Sequence, residues 1–588
     1  MIDLKARPFY LSDEKIEWVQ TTLNNMTLEE KIGQIFLPLG ERSDDAYLRH
    51  LTEDLHVGGV LFRPAGVDDI IKVHTRLQEL AKIPLLLAAN LECGGNGICR
   101  EGTSMGKPMA VAATDNIEHA KYMAEVSCAE GAAVGVNWAF APVVDIDREF
   151  RNPITNVRTF GDDPDRIIAY AGEYLKAAQK YELSASIKHF PGDGVDERDQ
   201  HLLTSVNTLS CEEWDDSYGK IYKALIDQGA NSVMVGHIAQ PAYVKKFNPQ
   251  ASQKELLRPA TLSKEILTGL LRTKLGFNGV TITDSTLMLG FTAAMERAKA
   301  VPWAVACGCD MFLFNKFLDE DVEFLRKGIE DGIVSMERIE EAVTRILALK
   351  VSLNLEKKKQ EGRLIDPAQR EQVGCEQFKA WAKQVAEDAI TLVRDKKGVL
   401  PISPKKYPRI YLNVIQKNVI PESPLAKTWK SLFEAEGFEV VLRNRTLSVT
   451  LNEVSLKDQL PQEKQELIEE MYRSVEETKN AYDLYVYIVS MQNISNNTTV
   501  RLNWNLVCGR GDDSPWHASE VPMLMISVAN PYHLFDAPMV STYINAYDSN
   551  KYYNQAVMDK IMGRSEFKGV SPVDPYCGKW YLAESENI

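Results

Sequence analysis

The sequence predicts an α/β protein in two parts, a (β/α)8 barrel of the TIM type followed by a smaller α/β three-layer sandwich domain. Three observations carry that prediction. Short apolar runs alternate with longer amphipathic stretches through the first part of the chain, as βα units require. Polar residues gather where those runs end. The same rhythm restarts, on a smaller scale, after a charged stretch that begins at Glu356. A chain of 588 residues also exceeds what one hydrophobic core accommodates.

Eight apolar runs read as barrel strands: Gln34 to Pro38, Val57 to Phe62, Pro84 to Ala89, Val134 to Val144, Ser184 to Phe190, Ser232 to His237, Val280 to Asp284, and Met311 to Phe314. Helical patterns lie between them, among them Asn116 to Gly131, Pro164 to Tyr181, Cys211 to Gly229 and Leu262 to Leu275, several ending at a capping Gly. Eight strands with intervening helices favour a closed barrel over a doubly wound sheet. A helix from Met336 to Leu353 closes the barrel domain, residues 1–355. The run Glu356 to Arg363 is charged and poor in apolar groups, so 356–375 reads as a linker, with a solvated helix end as the other reading. The sandwich, 376–588, takes strands at Thr391 to Val393, Arg409 to Val414, Glu439 to Leu442, Asp483 to Val489 and Met523 to Ala529, with helices at Leu425 to Gly437 and Gln462 to Lys479.

Composition bounds the function. Hydrophobic residues make up 45% and charged residues 25%, which is ordinary for a globular protein. A net charge of -15 repels nucleic acid and anionic lipid, and leaves a small neutral substrate as a fitting partner. The nine Cys are scattered without a CxxC pair, and Cys307-Gly308-Cys309 sits in an apolar segment as packing. No leader-like or membrane-spanning run is present, so the reading is a cytoplasmic protein with reduced thiols. His189, His201 and His237 lack metal-ligand spacing, and Gly94, Gly95, Gly192 and Gly194 fit no nucleotide loop. No metal and no organic cofactor is expected. Monomer and homodimer both stay open, as does whether the polar run Asn493 to Asn503 reaches the barrel rim.

Asn90 and Glu92 follow the third run, Asp145 the fourth and His237 the sixth, while Lys188 and His189 end the fifth and Asp284 the seventh. In a barrel all these ends face one rim, where catalytic groups gather. The stretch from Lys188 to His201 is the densest. Asp284 reads as a carboxylate that attacks an electrophilic carbon, or as the N-cap of the next helix. Asp199 and His201 stand two apart, so in an extended segment the carboxylate orients the imidazole as a proton shuttle; the other reading is two loop polars facing water. Lys188 and His189 suit hydrogen bonding to ligand hydroxyls, against the alternative of a buried Lys–carboxylate pair. Arg158 either donates to a ligand or pins the Asp145 loop. Gly192 and Gly194 would let the loop tail swing over the site.

These segments resemble glycoside hydrolase family 3, of the β-N-acetylglucosaminidase type, in the two-domain branch that acts on N-acetylglucosaminides and glucosides. The resemblance runs from Met26-Thr27-Leu28-Glu29-Glu30-Lys31-Ile32-Gly33-Gln34 through Arg158-Thr159-Phe160-Gly161, Lys188-His189-Phe190-Pro191-Gly192 and Thr283-Asp284 to Ala386-Glu387-Asp388-Ala389-Ile390-Thr391-Leu392-Val393. Asp199-Gln200-His201 and Gly569-Val570-Ser571-Pro572-Val573-Asp574-Pro575 mark the branch. It implies that Asp284 is the nucleophile of a covalent β-retaining mechanism, His201 the general acid/base and Asp199 its partner, with Lys188, His189, Arg158 and Asn90 holding sugar hydroxyls. The expected activity is an exo-acting retaining β-N-acetylglucosaminidase, with or without β-glucosidase activity. Phosphorolysis with inorganic phosphate is the first alternative, because a neutral imidazole does not repel an anion as a carboxylate does. A non-catalytic carbohydrate-binding protein and a metal-dependent hydrolase are the others. The chain departs from the family pattern at Asn90, which replaces an Asp, at Asn96, where an Arg is missing, and at Asp193, which stands where many members have His.

Overall fold

The structure is a computed structural model, and it describes residues 2–417, 423–502, 504, 506–507, 510–511 and 514–584. Cys508 and Asn503, the last residue of the polar run, lie outside the described residues. The chain divides into two compact units. One holds Met1–Ala112, Asn116–Ala382 and Ile494–Thr498; the other holds Ala113–Asp115, Lys383–Asn493 and Thr499–Ile588. The stretch expected as linker therefore lies within the first unit. Its charged run is helical over Leu355–Gln360, and Arg370 beyond it pairs with Asp68 at 2.5 Å.

The first unit is a parallel barrel. Its strands are β1 (Phe36–Leu37), β2 (Leu39–Gly40), β3 (Gly59–Phe62), β4 (Leu86–Ala89), β5 (Trp138–Ala139), β6 (Ser184–Phe190), β8 (Ser232–Val235), β10 (Val280–Ser285) and β11 (Met311–Leu313). A two-stranded accessory pair, β7 (Ser205–Val206) and β9 (Ile238–Ala239), stands apart from the main sheet. The sheet order is β1-β11-β10-β8-β6-β5-β4-β3-β2, so the two ends of the order are neighbours in sequence. β1 and β2 are two halves of one stave interrupted at Pro38, which has no N–H to give to a ladder. Phe36 pairs with Phe312 on one side, and Leu39 pairs with Leu61 on the other. This closes eight staves and excludes the doubly wound alternative. All eight predicted runs are strands; the fourth, read as Val134 to Val144, is shorter, at Trp138–Ala139.

The end of the barrel opposite the C-terminal ends of its strands is fastened by one buried carboxylate. Asp310, just ahead of β11, receives Arg272 Nη2 at 2.6 Å, Arg338 Nη2 at 2.5 Å and the Thr281 N–H at 3.0 Å, with Arg345 Nη1 at 3.5 Å. Burial alone would raise its pKa, but the three arginines and the Thr281 N–H outweigh that and bring it down to about 2.

In the second unit, β12 (Thr391–Asp395), β13 (Arg409–Gln416), β14 (Glu439–Leu442), β15 (Leu484–Ser490), β18 (Met523–Ser527) and β19 (Thr542–Asn545) form a sheet ordered β12-β19-β18-β15-β13-β14, with β12 antiparallel and the rest parallel. A small hairpin pairs β16 (Leu506–Val507) with β17 (Arg510–Gly511). Both faces of the main sheet are buried: Tyr411, Tyr485, Tyr487, Met523 and Tyr543 on one, Leu412, Val486, Ile488, Leu524 and Ile544 on the other. Burial on both sides is what makes a three-layer sandwich. The sheet has six strands rather than the predicted five; the added one, β19, is a four-residue strand between β18 and the distant β12. The single helix expected over 462–479 is two, Gln462–Met471 and Val475–Ala481, the second started by a Ser474–Glu477 capping box.

Asp310→Asn is expected to lower unfolding free energy by about 3–5 kcal/mol, since it leaves buried guanidiniums undercompensated. Asp310 titrates lower when folded than its ordinary 3.8, so its contribution is whole above pH 3.8 and is lost as pH falls toward about 2. Denaturant titrations at several pH values check both: the variant should lose this component of the acid slope.

Candidate active site

The C-terminal ends of β4, β5, β6, β8 and β10 bring the predicted polar residues to one rim. Lys188 and His189 lie within β6 itself, and both are buried. A charged group in that position must be paired. Lys188 Nζ meets Glu92 Oε1 at 2.7 Å, and Arg158 grips the same carboxylate through Nη2 at 2.8 Å and Nε at 3.0 Å. The alternative read for Lys188, a buried Lys–carboxylate pair, is thus present in the structure. Burial would raise the Glu92 pKa, but Arg158 and Lys188 together hold it well below the usual carboxylate range. Arg158 pins Glu92, where the sequence suggested the Asp145 loop. Asn90 is exposed just beyond β4 and makes no hydrogen bond to this cluster among the described residues.

Asp145 does for His189 what Glu92 does for Lys188. Its Oδ2 lies 2.7 Å from His189 Nδ1, and its Oδ1 accepts the backbone N–H groups of His189 at 3.1 Å and Asp193 at 2.8 Å. With Nδ1 committed, His189 turns Nε2 toward Asp284 Oδ2, 3.9 Å away. His237 Nε2 donates to the Ser285 carbonyl at 2.9 Å, so Nδ1 is the acceptor that faces Thr261 Oγ1 at 3.1 Å. Asp284 ends β10 with its Oδ1 on the Ser285 N–H at 2.7 Å. Burial pushes its pKa up, yet His189, His237, His201 and that N–H more than offset it and leave the carboxyl below its ordinary value. It is a carboxylate kept ionised among imidazoles.

Asp199 and His201 do pair, but across a turn closed by the Leu202 N–H on the Asp199 carbonyl at 2.9 Å, and not along the extended segment that the spacing suggested. His201 Nδ1 lies 2.7 Å from Asp199 Oδ1, which also accepts the His201 backbone N–H at 2.8 Å. Asp199 Oδ2 takes the N–H groups of Asn496 at 2.7 Å and Asn497 at 3.2 Å, from the short segment that belongs with the first unit. Asp199 is therefore acceptor-saturated, and Nε2 is the ring nitrogen left to His201 for chemistry. The two glycines between the ends are closely packed. Gly192 and Gly194 have φ of 122° and 92°, and a Cβ would come within 2.2 Å of the Tyr218 ring at the first and 2.0 Å of the Ile146 carbonyl at the second. Glycine serves close approach here rather than freedom.

Sequence reasoning placed Glu92 and Asp145 at strand ends without giving them partners; the signal was an acidic residue after an apolar run. Gln200 was given no contact, and the reach of the polar run Asn493 to Asn503 was left open; Asn496 and Asn497 within it make the contact with Asp199. Nothing local in the sequence marks a contact made across some 300 positions, such as the 297 between Asp199 and Asn496.

An ionised Asp beside a His–Asp couple on a barrel rim can serve nucleophilic and proton-transfer chemistry, and the family model gives the class. Residues 27–349 match the Glycosyl hydrolase family 3 N terminal domain. The chain belongs to glycoside hydrolase family 3 and is a glycoside hydrolase. It is 44% identical over 586 residues to a β-N-acetylglucosaminidase/β-glucosidase of Cellulomonas fimi, covering 99% of each chain. Among solved structures it is similar to a β-glucoside phosphorylase, BglX, bound to 2FGlc, with TM-score 0.89, 41% identity, and 98% and 99% coverage of this chain and that one. A family 3 β-N-acetylglucosaminidase from Paenibacillus sp. shares the fold at TM-score 0.75 and 23% identity, over 94% of this chain and 99% of that one.

Gly194→Ala should destabilise the protein by about 1–2 kcal/mol from its left-handed φ alone, with the clash at Ile146 adding to it. Urea unfolding measures the loss, and kcat/KM should fall with it, because the loop that carries Asp199 and His201 must move.

Proposed function

We propose that the protein is an exo-acting, retaining β-N-acetylglucosaminidase that also cleaves β-glucosides, working by double displacement. The observation that carries this is the combination on one rim of a half-buried Asp284, held ionised among imidazoles, with an Asp199-held imidazole. Asp284 attacks the anomeric carbon while His201 Nε2–H gives its proton to the glycosidic oxygen, and the aglycone leaves. Asp199 keeps Nδ1–H in place and stabilises the imidazolium before transfer. The imidazole, now neutral, takes a proton from water as that water displaces Asp284, and the sugar leaves with its β configuration retained. Lys188, His189 and Arg158 line the sugar subsite, oriented by Glu92 and Asp145, with Asn90 at its edge. Asn90 offers hydroxyls a neutral bond, about half as strong as one to a carboxylate. The name of the Cellulomonas fimi relative supports the dual sugar range.

Inorganic phosphate as acceptor is the second reading. Two points favour it: the group proposed for proton transfer is an imidazole, uncharged when it has lost its proton, and a structure similar over nearly the whole chain is that of a β-glucoside phosphorylase. In that case phosphate displaces Asp284 and a sugar 1-phosphate leaves. We also place the protein in the cytoplasm, a setting that suits its buried thiols Cys99, Cys128, Cys211, Cys307 and Cys309.

Asp284→Ala should lower kcat about 10³-fold or more, and a 2-deoxy-2-fluoro glycoside should label the wild type on the peptide containing Asp284; turnover near wild type, or a label elsewhere, removes the nucleophile assignment. His201→Ala should lose little on 4-nitrophenyl glycosides and much on alkyl glycosides, whose departure needs the proton. Adding phosphate should yield sugar 1-phosphate and a faster rate if phosphorolysis operates. Free sugar alone, at an unchanged rate, assigns water.

A further inference from the structure

Asp193 and Gln200 are both buried inside the loop, and neither touches the reacting atoms in the mechanism above. Their bonds nevertheless join its two working ends. The Asp193 N–H donates to Asp145, the anchor of His189. Its carboxylate accepts Gln200 Nε2 at 3.0 Å on Oδ2, and Asn152 Nδ2 at 3.1 Å and the Gly194 N–H at 2.7 Å on Oδ1. Gln200 stands between Asp199 and His201, and its Oε1 accepts the His237 N–H at 2.8 Å. The tail is clipped a second time to the segment after Asp284, where Leu289 N–H donates to the His201 carbonyl at 2.9 Å and Gly290 N–H to that of Gln200 at 3.3 Å.

The polarity of this chain of bonds is fixed. A backbone N–H can only donate, so Gln200 must present Oε1 to His237 and therefore Nε2 to Asp193. Every partner of the Asp193 side chain is then a donor, and only the ionised carboxylate satisfies all of them. A proton on Oδ2 would set O–H against N–H. The amide has no escape by turning over, since that would set NH2 against the His237 N–H.

We infer that Asp193 is a positioning residue, whose carboxylate acts through Gln200 to fix the segment presenting His201 and the His237 backbone beside Asp284. This rests on the proposed role of His201 as acid/base. Burial, with the Asp145 carboxylate, works against the charge and pushes the Asp193 carboxyl up to about 7, despite His189, the Gly194 N–H and Asn152. The other titratable groups packed around it are Tyr218, whose hydroxyl donates to the Asp193 carbonyl, and Tyr222, and burial lifts both far above the working range.

The test compares Asp193→Asn, Gln200→Leu and the double variant on aryl and alkyl β-glycosides from pH 5 to 9, with His201→Ala alongside. Each single variant should lower kcat/KM about tenfold or more, the usual cost of a lost hydrogen bond to a charged group. The double should be no worse than the worse single, because both remove one link. Wild-type kcat/KM should decline below about pH 7; that limb should move to lower pH in Asp193→Asn, which has no carboxyl there, and flatten in Gln200→Leu, which cuts the link. Near wild-type kcat/KM, losses that multiply, or an acid limb unmoved by the substitutions would each overturn the inference. Should Asp193→Asn fail to fold, Gln200→Leu still gives the rate and pH readouts. Equal losses across leaving groups in His201→Ala would instead remove the acid/base reading, leaving the coupling and pH shift to be judged separately.

Discussion

The Asp145 carboxylate, fully buried at the mouth of the barrel, takes three donors from the neighbouring strand and its loop, and a charge that deep is tolerable only with them. Two of the donors come from His189 and one from Asp193. The bond therefore sets an imidazole beside Asp284 and starts the loop in its course toward Asp199 and His201. Glu92 makes the parallel arrangement with Lys188 and Arg158 one strand away. The rim is built from carboxylates whose charge is taken up by neighbours, with Asp284 held among three imidazoles.

That division explains why the histidines differ in role although they are close together. His189 and His237 each have a ring nitrogen committed to a fixed acceptor in the barrel wall, Asp145 Oδ2 and the Ser285 carbonyl. His201 is committed to Asp199, which is itself saturated by the N–H groups of Asn496 and Asn497. A carboxylate held by backbone donors on one side and an imidazole on the other is a stable orienting group, and it leaves Nε2 as the ring nitrogen not held by Asp199. The loop that connects these parts works by being tight. Its two left-handed glycines press against Tyr218 and Ile146, and Gln200 locks its tail to the His237 backbone.

At the far end of the barrel the same arrangement appears with opposite emphasis. Three arginines surround Asp310 and the chemistry is structural: the carboxylate is driven down to about 2 and ties the entrance of β10 and β11 to the helix Met336–Ser352. Rim and base are both organised by buried carboxylates, but only at the rim do the partners leave a nitrogen or an oxygen facing the site.

The sequence by itself determined the eight staves, the existence of the second α/β part, and the gathering of Asn90, Glu92, Asp145, Lys188, His189, His237 and Asp284 at strand ends. Those features follow from local periodicity and from the rule that a parallel strand delivers its last residue to one rim. The Asp199–His201 pair was legible as neighbours two residues apart, although a turn and not an extended segment brings them together. Only the tertiary structure decided which carboxylate each cation serves, that Pro38 splits the stave that closes the barrel, that the loop glycines are packed, and that Asp193 and Gln200 join its ends. These depend on contacts between residues far apart in the chain and on the direction of each donor. Hydrogen-bond polarity is a property of assembled groups, and no spacing in the sequence encodes it.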